Sequence, residues 1–244
     1  MTNSTDRPLP AQELQRRFWN EWNVSARELQ PLDGPSLARA DFVVSAVRRC
    51  VPSSGRLLDL GCGTGWLSEQ LVAGVPDITA VDLGDEVIAR ARIRAPHIRF
   101  LSGDAMTVPA DDCYNAVVCV ETLSHVPDQV GFVKRLADLL KPEGTLILTT
   151  QNRTVFSRSK VMQQGEGQIR RWVTPRELRG LLEPLFHKVE IATIMPAGDR
   201  GWLRTLNGRR VCSVWNRLFG EGRWHATLEW AGLGQTITAV AKKK

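Results

Sequence analysis

No Cys-x-x-Cys pair occurs in the 244 residues, and the five cysteines, Cys50, Cys62, Cys113, Cys119 and Cys212, are an odd number without regular spacing. That usage fits neither a disulfide framework nor a zinc site, so the thiols are expected to be reduced and mostly buried. Also missing is any apolar run approaching the roughly 18 residues of a spanning helix. Residues 1–15, polar and proline-containing, have neither the basic start nor the apolar stretch of a secretory signal, so a soluble, cytoplasmic protein is expected. There is no internal repeat. A hydrophobic fraction of 43% and a charged fraction of 24% exclude disordered and fibrous classes, and the length suits one large domain with a full core.

Charge is divided unevenly along the chain. Residues 1–152 hold 15 Lys/Arg against 19 Asp/Glu, a net of −4, while residues 153–244 hold 17 against 7, a net of +10. The basic second part reads either as a solvated face or as a surface for an anionic substrate, lipid headgroups or RNA. No recognisable RNA-binding module and no basic stripe with interleaved aromatics accompanies it, so a nucleic-acid partner is not expected.

Hydrophobic periodicity organises the rest. Residues 1–50 form a helical lead-in, with Leu14, Phe18 and Trp22 on one stripe and Phe42, Val43, Ala46 and Val47 on another. Strands are predicted at 56–60, 78–83, 98–101, 115–120, 145–150, 189–194 and 235–241, and helices at 66–72, 86–94, 130–140 and 176–185. Lys141-Pro142-Glu143-Gly144 reads as the turn before the fifth strand, and Thr174-Pro175 as the cap and first residue of a helix. This alternation predicts an α/β fold with a doubly wound, seven-stranded, mostly parallel sheet. Residues 51–244 make the main domain, and residues 195–234, too long for a hairpin loop, a helical cap inserted before the last strand.

The chemistry concentrates at Asp59-Leu60-Gly61-Cys62-Gly63-Thr64-Gly65, the first strand-to-helix turn, with Asp82 at the end of the second strand. In a doubly wound sheet this turn lies at the switch point, where glycines admit a ligand to the backbone and an acidic residue takes ribose hydroxyls. A nucleoside is therefore expected. The glycine spacing differs from that of dinucleotide-binding turns, and Asp59 suits an ammonium group better than a phosphate on Coulomb grounds.

On Leu58-Asp59-Leu60-Gly61-Cys62-Gly63-Thr64-Gly65, Gly103-Asp104-Ala105 and Leu139-Leu140-Lys141-Pro142-Glu143-Gly144-Thr145, the chain resembles the class I S-adenosylmethionine-dependent methyltransferases over about residues 50–152. Within that class it is similar to the ubiquinone-type O-methyltransferases, through residues 120–128, 149–153 and 171–178. The resemblance implies S-adenosyl-L-methionine as cofactor and S-adenosyl-L-homocysteine as product. It assigns cofactor binding to Asp59, Gly61, Cys62, Gly63, Gly65, Asp82, Leu83, Asp104, Ala105, Met106 and Val120, with Asp104 near the adenine amino group. Glu121 and His125, after the fourth strand, then face the substrate, and His125 reads either as a proton acceptor or as a histidine that closes its loop on the backbone. Some relatives hold a divalent ion here; Ser124 stands where a second carboxylate is often found, and no metal is expected.

Trp19, Trp22, Asn152, Trp202 and Arg204 are candidate substrate contacts. Val211, Val214, Leu218 and Phe219 would share one helix face within 195–234, which packs on the core, lines a pocket or meets anionic lipid. The expected activity is methyl transfer to oxygen or nitrogen of a small molecule by a monomer or homodimer. A carbon acceptor, an RNA substrate and a non-catalytic nucleoside-binding regulator are the alternatives.

Overall fold

The computed structural model describes residues 11–26, 33–110, 114–159 and 168–244, and of residues 11, 12 and 22–26 the backbone alone. Cys113 and the side chain of Trp22 lie outside the described parts. The lead-in is two helices, α1 (Ala11–Ala26) and α2 (Gly34–Cys50). The Asp33 side chain accepts from Ser36 N to start α2, with a proline in its first turn.

There follow β1 (Arg56–Leu60), α3 (Trp66–Leu71), β2 (Asp77–Asp82), α4 (Asp85–Arg94), β3 (Arg99–Ser102), β4 (Tyr114–Val120), α5 (Gln129–Asp138) and β5 (Leu140–Gln151). The second part contains α6 (Arg153–Phe156), α7 (Pro175–Leu182), β6 (Phe186–Pro196), α8 (Gly201–Leu206), α9 (Arg209–Phe219), α10 (Arg223–Trp230) and β7 (Gly234–Lys243). The seven strands form one sheet in the order β3-β2-β1-β4-β5-β7-β6. Only β7 runs antiparallel, between β5 and β6.

Alternation along the central strands feeds two cores. Leu58, Val117, Cys119, Leu146 and Leu148 face one side, where Phe132 and Leu136 of α5 and Leu178 and Leu182 of α7 cover them. Leu57, Ala116, Val118 and Ile147 face the other, against Val43 and Val47 of α2, Leu71 of α3 and Ile88 of α4. Strands buried on both faces need no polar alternation, which is why they read as continuous apolar runs.

One local expectation differs from the structure. Lys141–Gly144 is a bulge within β5, not a turn before it: Leu140 already pairs with Tyr114, and pairing resumes at Thr145 with Ala116. Glu143 takes φ 61° to absorb the extra residues, and α5 ends at Asp138. The cap of α7 is as expected and is a full capping box, Thr174 accepting from Glu177 N and Glu177 accepting from Thr174 N.

Candidate functional site

The carboxyl ends of β1, β2 and β4 meet where strand order reverses, between β1 and β4. Gly61 N and Cys62 N donate to Val81 O at 2.7 and 3.0 Å, which folds the glycine turn back over β2. Gly63 has φ 54° with nothing within 4 Å of where a Cβ would stand, so the backbone is open to a ligand there. Gly65 has φ 75° and a Cβ on it would fall 2.6 Å from the Phe100 ring, so any larger residue would push α3 off the sheet.

Asp82 ties this turn together. Its carboxylate accepts from Gly63 N at 2.8 Å and from Gly84 N at 3.0 Å. Burial pushes its pKa up, while the N–H groups of Gly84, Gly63 and Leu83 pull it back. Asp59 is almost fully buried and accepts from Ser68 Oγ at 2.6 Å. Burial lifts its carboxyl to about 6, the Ser68 bond opposes this, and the Asp82 charge adds to it. The same two carboxylates, with burial as the larger cause, raise the Cys62 thiol, which stays protonated. Asp104 caps the short turn Ala105–Thr107 by accepting from Met106 N at 2.9 Å, leaving Met106 exposed at the crevice edge beyond β3.

The exit of β4 supplies the opposite wall. Glu121 adopts φ 56°, a left-handed conformation that costs a non-glycine residue energy and here re-aims the chain at the sheet edge. Its Oε1 accepts from Thr149 Oγ1 at 3.1 Å. Thr122 Oγ1 donates to Val120 O at 3.2 Å and sits where a Cβ on Gly61 would collide with it. His125 ends the short turn Leu123–His125, and its Nδ1 lies 2.7 Å from Ile169 O. A carbonyl only accepts, so Nδ1 carries the proton and Nε2 the lone pair. Burial lowers the imidazole to about 4, against the pull of the Ile169 carbonyl, and the Arg170 charge lowers it further. The ring is therefore neutral at neutral pH.

Helix α1 lies across this crevice. Trp19 meets His125 edge-on with ring centroids 4.5 Å apart. On the other side Arg16 pairs with Asp85 at 3.7 Å, and Asn20 Oδ1 would be 2.6 Å from a Cβ on Gly84. That Asn20 oxygen is shielded and has no partner among the described residues, so it is free to accept from a ligand hydroxyl beside Asp82.

The remaining sequence candidates fare differently. Asn152 is fully buried: its Nδ2 donates to Gly232 O and Gly234 O at 2.8 Å each, and its Oδ1 accepts from Thr154 N. Those bonds pin α6 to the entry of β7. Trp202 lies under the Arg158 guanidinium, 5.6 Å from its ring centroid, and Arg204 is exposed. No hydrogen bond, ion pair or ring contact among the described residues joins either to His125. Ser68, Thr149, Asn20 and Arg170 were not anticipated; each sits beside an anticipated residue in space but carries no spacing signal in the chain.

These features define an α/β protein of the doubly wound class. The chain belongs to the methyltransferase-domain family, whose model matches residues 37–185. It is 36% identical over 141 residues to a ubiquinone biosynthesis O-methyltransferase of Xanthomonas campestris pv. campestris strain B100, taking in 55% of this chain and 58% of that protein. The match thus spans little more than half the relative. Among solved structures, the N-methyltransferase NodS from Bradyrhizobium japonicum WM9 in complex with S-adenosyl-L-homocysteine has a TM-score of 0.62 at 14% identity, covering 96% of this chain and 97% of that one. The (4+2)-cyclase SpnF has a TM-score of 0.60 at 16% identity, covering 96% and 97%. At such identities the likeness is one of fold, and the same fold hosts different reactions.

Proposed function

We propose that the protein transfers the methyl group of S-adenosyl-L-methionine to a hydroxyl oxygen of a small molecule. The observation that carries the reading is the acidic glycine turn. The open backbone at Gly63 and the clustered Asp59 and Asp82, both held above their usual carboxylate range, suit a ligand that brings ribose hydroxyls and a net positive charge. Asp82 and Asn20 would hold the ribose, Asp59 the ammonium end, and Asp104 with Met106 the adenine. When bound, the cofactor supplies a methyl group already activated on a sulfonium.

The chain's own part is alignment, exclusion of water and proton management. Trp19 shields the crevice over His125. His125, held by Ile169 O, presents the Nε2 lone pair to the acceptor proton. The Arg170 charge acts on His125 and favours an acceptor that develops negative charge, an oxygen, over an amine that develops positive charge. The Xanthomonas relative, an O-methyltransferase by name, supports oxygen as well. In this reading residues 1–50 are a lead-in to the methyltransferase domain at 51–244, with 195–234 as its cap.

The test is calorimetric titration of S-adenosyl-L-homocysteine into the wild type and into Asp82→Ala, followed by transfer of labelled methyl to a panel of phenols and catechols. The variant is expected to bind roughly ten- to hundredfold more weakly, the worth of charged hydrogen bonds lost. Failure of the wild type to bind, or equal binding by the variant, overturns the cofactor assignment. Transfer to amines with none to hydroxyls overturns the acceptor.

A further inference from the structure

Four exposed apolar side chains, Val214, Leu218, Phe219 and Trp230, lie on α9 and α10. Helix α9 is anchored on one side only: Trp215 packs on Trp224 with centroids 4.6 Å apart, and Trp224 is buried and donates Nε1 to Leu206 O at 2.8 Å. Next to this contact Val214 is 60% exposed and Leu218 69%, one turn apart, while the half-exposed Phe219 packs on Trp215 with centroids 4.5 Å apart. Val211, Val214 and Leu218 keep the i, i+3, i+7 spacing of a single stripe; Val211 is half-buried, while Val214 and Leu218 face solvent, uncovered by the described residues.

Arginine flanks that stripe. Helix α9 contains Arg209, Arg210 and Arg217 and no acidic residue. All three are exposed, and none forms a hydrogen bond or ion pair among the described residues. Helix α10 repeats the pairing, with Arg223 beside a Trp230 that is 89% exposed.

We infer that α9, with α10, is an interfacial surface that docks the protein on a bilayer rich in anionic lipid. An aliphatic row bordered by cations matches the boundary between acyl chains and negative headgroups, and tryptophan is at home at that depth. A second copy of the chain fits less well, because a two-fold contact through this face would set its unpaired arginines against one another. RNA would use the arginines but leave Val214 and Leu218 in water. The inference does not depend on the methyl-transfer reading, since it concerns a surface outside the crevice.

The test is flotation of the full chain with vesicles of phosphatidylcholine alone or with phosphatidylglycerol, at low and high salt. Two exposed-surface variants accompany it, Leu218→Asp and the triple Arg209→Gln, Arg210→Gln, Arg217→Gln; circular dichroism and the melting temperature verify that each is folded. The wild type is expected to float only with the anionic vesicles, less so at high salt, and each variant to lose on the order of tenfold in bound fraction. The inference fails if the wild type does not float with anionic vesicles, or if both folded variants float as it does. It fails equally if light scattering shows a dimer that Leu218→Asp dissolves while vesicles stay unbound, or if tRNA is bound in place of vesicles.

Discussion

Asp59 is placed where stability and ligand binding make opposite demands. Its carboxyl titrates near 6 in the folded protein against 3.8 for the free group. The folded state therefore holds a proton that the unfolded chain releases, so the stability linked to this group is complete below pH 3.8 and is lost as pH rises through about 6. A shift of this size corresponds to about 3 kcal/mol. Asp59→Asn keeps an oxygen for Ser68 and removes that cost. It is expected to raise the melting temperature at pH 8 by on the order of 5 °C, with no gain at pH 3.5 or below, in scanning calorimetry. The same variant should bind S-adenosyl-L-homocysteine more weakly, because the ammonium loses its counter-charge. A variant with no stability gain at pH 8 would show that Asp59 is ionised and comfortable without ligand.

At the scale of elements, α7 shows how a local signal is converted into tertiary structure. Thr174 and Glu177 satisfy the first donors of the helix reciprocally, and Glu177 also accepts from Arg153 at 2.6 Å. Leu178 and Leu182 are thereby aimed into the core over β5 and β7. Thr174→Ala is expected to cost about 1 kcal/mol, with a fall of roughly 2–4 °C in melting temperature, and Thr174→Ser to restore most of it. The opposite case is Lys141-Pro142-Glu143-Gly144. Proline and glycine there predict a turn, but the ladder between Leu140 and Tyr114 overrides local preference and makes a bulge. Pairing partners 26 residues away are not visible in a local window.

Over the whole molecule, burial is concentrated in the sheet. The central strands β1, β4 and β5 are almost wholly enclosed by two helical layers, whereas of α8–α10 only Leu203, Trp224 and Leu228 are buried. Hydrogen exchange followed by mass spectrometry is therefore expected to open residues 201–230 locally, ahead of the slow global exchange of β4 and β5. Exchange of both regions at one rate would mean that these helices fold as part of the core. The partition of charge follows the same division: a net of −4 lies in residues 1–152, which contain the glycine turn, and +10 in residues 153–244, which carry the exposed helices.

By itself the sequence determined what depends on near neighbours. The glycine turn, Asp82 at its strand end, the β1 to β5 alternation and the Thr174 cap are written in spacings of a few residues, and local sterics and hydrogen bonding suffice to read them. Tertiary structure alone decided which long-range partners meet. It set Trp19 of α1 against His125, gave His125 the Ile169 carbonyl and hence its tautomer, and tied Asn152 to the β7 entry. It also left Val214 and Leu218 in water on a helix whose pattern alone would equally have suited the core. Periodicity says that a helix has an apolar face; only the packed chain decides what that face meets.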